Sequence, residues 1–308
     1  MADLDPVDAA DFDWTAGEGP AAVVRRIDRA CREADGAAQL NEQAVLELKH
    51  HGLERSSLWL AGTEPATGRA ARGSSTGFAL RHGDQLDLAV HPEARGRGVG
   101  TALAAAVLEK MDRVDAWSHA DHPAAARLAS RWGVPRAREL RIMELAGDVA
   151  LPEVMIPGGV TIRTFQPGDE ETVLAVNAAA FAHHPEQGEM TLSDLRDRMA
   201  EEWFDPAGLL LAVGDDGGLL GFHWTKEHHE EVPAFGEVYV VAVNPKAAGR
   251  GIGTLLTSVG LQHLRDQGLD RVILYVEADN APAIAVYERQ GFAVLRAEVQ
   301  YRGKPRAG

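Results

Sequence analysis

The chain has 308 residues, enough for two domains of ordinary size, and its 45% hydrophobic and 25% charged residues mark it as globular rather than disordered. A formal net charge of −15 argues against nonspecific nucleic-acid binding, so an anionic ligand would need a local basic nest. The single cysteine, Cys31, excludes an internal disulfide, and no stretch approaches the roughly 20 apolar residues of a membrane span. With an acidic N-terminus that lacks a long apolar run, the expectation is a cytoplasmic protein, with no membrane or nucleic-acid partner and monomeric.

Helical spacing comes first, over Ala21 to Ala34 and Glu42 to His50, broken at Asp35-Gly36. Strands are expected at Ser57 to Ala61, Thr76 to Leu80 and Gln85 to His91. An alanine-rich helix then covers Thr101 to Met111, followed by a strand at Val114 to Ser118, a helix at Ala124 to Arg131 and a strand at Glu139 to Leu145. Two prolines, two acids and Gly158-Gly159 between Ala146 and Gly159 suggest a boundary, giving domains 1–148 and 149–308. The order then recurs. Helices are expected over Glu170 to Ala182 and Thr191 to Trp203, then strands Leu209 to Val213 and Leu219 to Trp224 around the turn Asp215-Asp216-Gly217-Gly218. The strand Glu237 to Val243, a helix from Thr254 to Gln267, a strand Arg271 to Glu277, a helix Ala281 to Arg289 and a last strand Ala293 to Tyr301 follow.

The recurrence is an internal repeat. With Pro92 set on Pro245, Arg95-Gly96-Arg97-Gly98-Val99-Gly100 faces Ala248-Gly249-Arg250-Gly251-Ile252-Gly253, and Gly133 later faces Gly291 with the second half about five residues longer. Each copy is a strand, a glycine-rich turn and a helix, which is how a backbone cradles phosphate. Glycine lets the main chain come close, and the first N–H groups of the helix point outward without internal partners. The halves differ elsewhere. Counting back from the prolines places Asp84 opposite Glu237, and counting back from Gly133 and Gly291 places Ala129 opposite Tyr287 and His122 opposite Asn280. An alanine donates no proton, so the second half reads as the active one. The first half then keeps its nest without turnover.

These two motifs, the glycine turn and Asn280-x-x-Ala283-x-x-x-Tyr287-x-x-x-Gly291-Phe292, resemble those of the GCN5-related N-acetyltransferases. The resemblance implies an α/β (α+β) chain of two tandem folds, each a mixed, splayed β-sheet flanked by helices, with acetyl-CoA as co-substrate entering the split. Implied cofactor contacts are Leu88, Ala89 and Val90 with Arg95, Gly96, Arg97, Gly98, Val99 and Gly100 in the first half. In the second half they are Val241, Ala242 and Val243, then Ala248, Gly249, Arg250, Gly251, Ile252, Gly253 and Thr254, then Asn280, Ala281, Pro282, Ala283, Ile284 and Ala285. Ala248 departs from the arginine or glutamine usual at its position, which removes one side chain from the pyrophosphate.

A closer similarity spans nearly the whole chain. His184-Pro185-Glu186-Gln187-Gly188, Trp203-Phe204-Asp205-Pro206, Gly221-Phe222-His223-Trp224-Thr225-Lys226, Gly236-Glu237-Val238-Tyr239-Val240 and Asn41-Glu42-Gln43 are similar to a group of actinobacterial tandem acetyltransferases. That group acetylates the cysteinyl amine of a small pseudodisaccharide, cysteinyl-glucosaminyl-inositol. The similarity implies Glu42, Glu186, Lys226, Glu237 and Tyr275 as acceptor contacts, with the acceptor near the junction of the halves. An alkyl ammonium must lose a proton before it attacks a thioester, and Glu237 is the candidate general base. The leaving thiolate needs a donor, and Tyr287 is the candidate. A transferase for aminoglycoside or peptide amines, or a non-catalytic acetyl-CoA binder, stands as the alternative. His183-His184 and His228-His229 invite a metal reading, but neighbours in sequence share no helix face, so no metal is expected.

Overall fold

The computed structural model describes residues 4–62, 74–182, 187–229 and 231–306. They form two compact units. One runs to Leu140 and takes in the chain from Ala297 onward; the other is Arg141–Arg296.

In the first unit, α1 (Pro20–Asp35) opens with proline at its first position, where no backbone donor is lost. Its Val23, Val24, Ile27 and Cys31 form one buried face, and Gly36 closes it in the left-handed region at φ 72°. Asn41 caps α2 (Glu42–His51), its side chain accepting from the Ala44 amide at 2.8 Å. The α1 face packs on Leu58 and Leu60 of β1 (Ser56–Ala61), Phe78 and Leu80 of β2 (Gly77–His82) and Ala89 of β3 (Gln85–Val90). On the opposite face α3 (Val99–Leu108) buries Val99, Leu103 and Val107. β4 (Val114–Ser118) and α4 (Pro123–Arg131) follow, then β5 (Arg136–Leu145).

The second unit repeats the plan with β6 (Val160–Thr164), α5 (Glu170–Ala180), α6 (Leu192–Met199), β7 (Leu209–Gly214), β8 (Leu219–His228), β9 (Phe235–Val243), α7 (Ile252–Asp266), β10 (Val272–Glu277), α8 (Ala281–Arg289) and β11 (Ala293–Gly303). Thr191 and Asp194 make a reciprocal capping box at the head of α6. Phe222, Trp224, Val240 and Ala242 pack towards α5 and α6, while Ala212, Ile252 and Leu256 pack on the α7 side.

The units are not contiguous halves. Val299 to Gly303 of β11 pair antiparallel with Ser118 to Val114 of β4, completing the first unit's sheet in the order β1-β2-β3-β4-β11. Conversely Met143 and Leu145, at the end of β5, belong to the second unit's core with Leu261, Leu264 and Leu274. A boundary at 148/149 is therefore not where the contacts divide. Sequence composition marks the linker, but strand pairing decides which strand completes which sheet. Two other differences matter below. β6 was not foreseen, being five residues with only partial burial. β8 also runs four residues past Trp224, through the polar stretch Thr225-Lys226-Glu227-His228.

Candidate active site

β9 and β10 run parallel, but their ladder holds only at Gly236↔Val272, Glu237↔Ile273 and Val238↔Leu274. Next to that ladder the β8–β9 register slips between Trp224 and Thr225: Trp224 faces Val240 and Thr225 faces Val238, leaving Tyr239 as an extra residue. A bulge bends its strand and increases its twist. Here it falls where β9 leaves β10, so among the described residues the stretch from Val240 to Val243 runs on beyond the ladder with β10. This is a split in a sheet, with Glu237 at its root.

Glu237 is buried, at 8% exposure, and its Oε2 lies 2.7 Å from His228 Nε2. The added length of β8 brings these groups together. Lys226 stands directly across from Glu237 and His228 across from Phe235, so all four side chains share a face of the antiparallel pair. His228 stacks on the Phe235 ring at 4.4 Å, which fixes the imidazole plane. Lys226 Nζ sits 4.5 Å from the Trp203 ring centre and 5.5 Å from that of Tyr239, and Arg198 donates to the Tyr239 hydroxyl at 2.8 Å. The Glu237–His228 pair was missed by sequence reading. The apolar alternation of β8 ends at Trp224, and His228 entered only as half of a histidine doublet.

The glycine turn after β9 is built as expected of an anion nest. Asn244 caps it by accepting from the Lys246 amide at 3.1 Å, Gly249 and Gly251 lie in the left-handed region at φ 78° and 75°, and α7 begins at Ile252. Open space stands where a side chain on Gly249 or Gly251 would be, so the turn presents bare backbone. The first N–H groups of α7 have no partner within the helix and meet its positive dipole end. Those features fit a pyrophosphate, and Ala248, Arg250, Gly253 and Thr254 border it. At α8, Asn280 caps by accepting from Ala283 N at 3.2 Å, and Ala281 and Pro282 are exposed. Tyr287 packs on the same cluster as Val241 and Ala283 and meets the Phe292 ring edge-on at 5.8 Å. Burial pushes its phenol up to about 12, so it holds its proton throughout the neutral range.

The first unit has a parallel nest, with Gly96 and Gly98 at φ 75° and 86° before α3. Its Arg95, however, is committed internally. Nη1 and Nη2 donate to the Asp35 carboxylate at 2.7 and 2.6 Å, and Nε donates to the Val90 carbonyl at 3.1 Å. The β2–β3 register is continuous, without a bulge. Counting through paired strands therefore places Gln85, not Asp84, at the Glu237 position, and His82 at the Lys226 position. Counting back from the prolines fails because β9 carries one residue more.

Of the other acceptor candidates, Tyr275 is exposed on β10 just past the ladder, and Glu42 is the first residue of α2 in the first unit. Glu186, like His183-His184, lies outside the described residues. His229 is held by Glu227 at 2.6 Å. Asp205, Glu227 and His263 bring one ligand atom each within 4.8 Å of one another, a grouping the sequence did not suggest. Among the described residues no helix is long and apolar enough to cross a membrane.

Comparison with known proteins gives the family and the fold. A model of the acetyltransferase (GNAT) family matches residues 70–134 and 177–292. A mycothiol acetyltransferase of Nocardioides sp. is 50% identical, covering 91% of this chain and 97% of that protein. Another from Streptomyces avermitilis is 47% identical, covering 91% and 90%. Among solved structures, a GCN5-related N-acetyltransferase from Sphaerobacter thermophilus superposes with a TM-score of 0.68 at 26% identity over 98% of this chain and 95% of that one. A tandem GNAT protein from the clavulanic acid pathway gives 0.69 at 21% identity over 99% and 98%, a likeness of fold. The chain is an acetyl-CoA-dependent acetyltransferase of the GNAT family and belongs, within it, to the tandem proteins named mycothiol acetyltransferases.

Proposed function

We propose that this enzyme moves the acetyl group of acetyl-CoA onto the cysteinyl amine of cysteinyl-glucosaminyl-inositol, giving mycothiol and CoA, and that residues 149–308 carry the chemistry. The observation that carries the reading is the part-buried Glu237–His228 pair at the root of the β9–β10 split, beside an open glycine nest. Acetyl-CoA, when bound, supplies a thioester carbonyl to be attacked and a thiolate to leave.

The chain's own groups do the rest. His228 Nε2–H donates to Glu237 Oε2, which orients the carboxylate and leaves Oε1 to take a proton from the substrate ammonium. Burial of Glu237 keeps bulk water from competing for that proton. A backbone N–H at the end of Val241-Ala242-Val243, beyond the β10 ladder, serves the oxygen that gains charge. Tyr287, protonated because burial holds its phenol near 12, offers the departing sulfur a hydrogen bond rather than a free proton. Lys226, Tyr275 and Glu42 are proposed acceptor contacts, as is Glu186. The first half, 1–148, is proposed to hold acetyl-CoA without turnover, since Gln85 and Ala129 occupy the places of Glu237 and Tyr287 and neither handles protons.

The test is acetyl transfer followed by thiol release, with the cysteinyl pseudodisaccharide set against glucosamine, aminoglycosides and peptide amines. We expect kcat/KM for the pseudodisaccharide to lead by about 100-fold or more, the scale that several matched polar contacts provide. An aminoglycoside turned over equally well would refute the assignment. In the same assay Tyr287→Phe is expected to lower kcat by about 10- to 100-fold with little change in acetyl-CoA affinity, since it removes one donor to developing charge. An unchanged kcat would remove Tyr287 from the reaction.

A further inference from the structure

The first unit holds a cleft that acetyl transfer by the second unit does not use. It measures about 20 Å³, room for one water-sized group, and is lined by Gln43, Glu47, Ser56, His82, Gln85 and Asp87. Glu47 is only 8% exposed. Its Oε1 is fully buried, and the carboxyl group has no hydrogen-bond partner among the described residues. Buried carboxyl groups are almost always paired, because desolvating them unpaired is costly. Asp87, on the same cleft, also lacks a hydrogen bond among the described residues. Burial raises its carboxyl group to about 7, with Asp28 adding to the rise and His119 opposing it.

The strand register says what is missing. His82 and Gln85 occupy the positions that Lys226 and Glu237 hold in the second unit. Where the second unit has a fixed lysine cation, the first has a histidine already bonded through Nδ1 to the Ser56 hydroxyl at 3.2 Å. Two carboxyl groups without hydrogen bonds among the described residues, two amides and a hydroxyl around one water-sized space ask for a compact cation with N–H donors. Magnesium keeps several of its waters and would not fit.

We propose that this cleft binds the primary ammonium group of a small amine, with Glu47 and Asp87 accepting its N–H bonds. The first half would then retain amine recognition after losing the base and phenol positions. The proposal is read by binding and does not depend on turnover in the second half.

The experiment measures thermal melting of the full chain against rising methylammonium chloride, with tetramethylammonium chloride as a cation of equal charge and no N–H. Methylammonium is expected to raise the melting temperature saturably, by about 3–5 °C at ten times its Kd, and tetramethylammonium is not. The shift should persist in Glu237→Gln, which removes the amine site of the second unit, and vanish in Glu47→Gln. Equal shifts with both cations overturn the proposal. So does a shift lost in Glu237→Gln but kept in Glu47→Gln, or saturable stabilisation by Mg²⁺ in place of methylammonium. Should Glu47→Gln fail to fold, Asp87→Asn replaces it, and the two-cation comparison on the unaltered and Glu237→Gln proteins decides alone.

Discussion

Glu237→Gln is expected to lower kcat/KM for acetyl transfer by about 10²- to 10⁴-fold, the contribution typical of a positioned general base. The amide keeps the shape of the side chain and can still meet His228 Nε2, now 2.7 Å from Oε2. What it loses is the capacity to take a proton. Because an amine in solution is mostly ammonium near neutral pH, the deficit should shrink as pH rises and the free amine becomes abundant. Steady-state rates across pH 7 to 10 in the variant and the unaltered enzyme check this. A uniform deficit would assign Glu237 a purely positional role, and no deficit would dismiss it.

Gly260→Ala in α7 is expected to destabilise the second unit by about 2 kcal/mol or more, against the sign that helix propensity alone gives. Alanine in a helix interior is favoured over glycine by about 1 kcal/mol. Here a Cβ would lie 2.0 Å from His223 Nδ1 and 2.1 Å from its Cε1, closer than heavy atoms can stand. Overpacking costs about 1–3 kcal/mol and sometimes more, so the clash prevails. His223 has little room to yield. It is fully buried on β8, and Nδ1 is 2.7 Å from the Leu256 carbonyl. Burial lowers its imidazole to about 4. Neutral imidazole therefore donates through Nδ1–H, and acid strains the arrangement. The unfolded histidine protonates first, so stability is lost as pH falls from about 6.5 towards 4. Urea unfolding at pH 7 measures the Gly260→Ala effect. The double variant with His223→Ala should recover part of the loss, and a single variant as stable as the parent would show the contact to be soft.

Much of the fold was legible because it rests on local rules. Pro20, Asn41, Gly36, Asn244 and Asn280 all start or stop elements as their chemistry directs. The glycine turns were readable for the same reason, since left-handed backbone at Gly249 and Gly251 leaves few alternatives. The centre of the candidate site was only half legible. Glu237 stood out on an apolar strand, but His228 did not, because the last four residues of β8 carry no hydrophobic alternation and form a strand only by pairing with β9. The bulge at Tyr239 was invisible, being a property of two strands together. It shifted the comparison of halves by one residue and made Asp84 stand in for Gln85. Strand order was beyond local reading altogether, since pairing Val299 with Ser118 joins residues far apart in the chain.

That last pairing bears on how the molecule is made. The first unit's sheet needs Val299 to Gly303, which the ribosome makes only after the whole of the second unit, so β4 waits through that stretch of synthesis for its β11 partner. The second unit, in turn, borrows Met143 and Leu145 from a strand begun before it. A gene severed at the linker would yield two polypeptides, each lacking a piece of its own interior. The duplication has thus become a single heritable object, whose halves can diverge in chemistry but can no longer part.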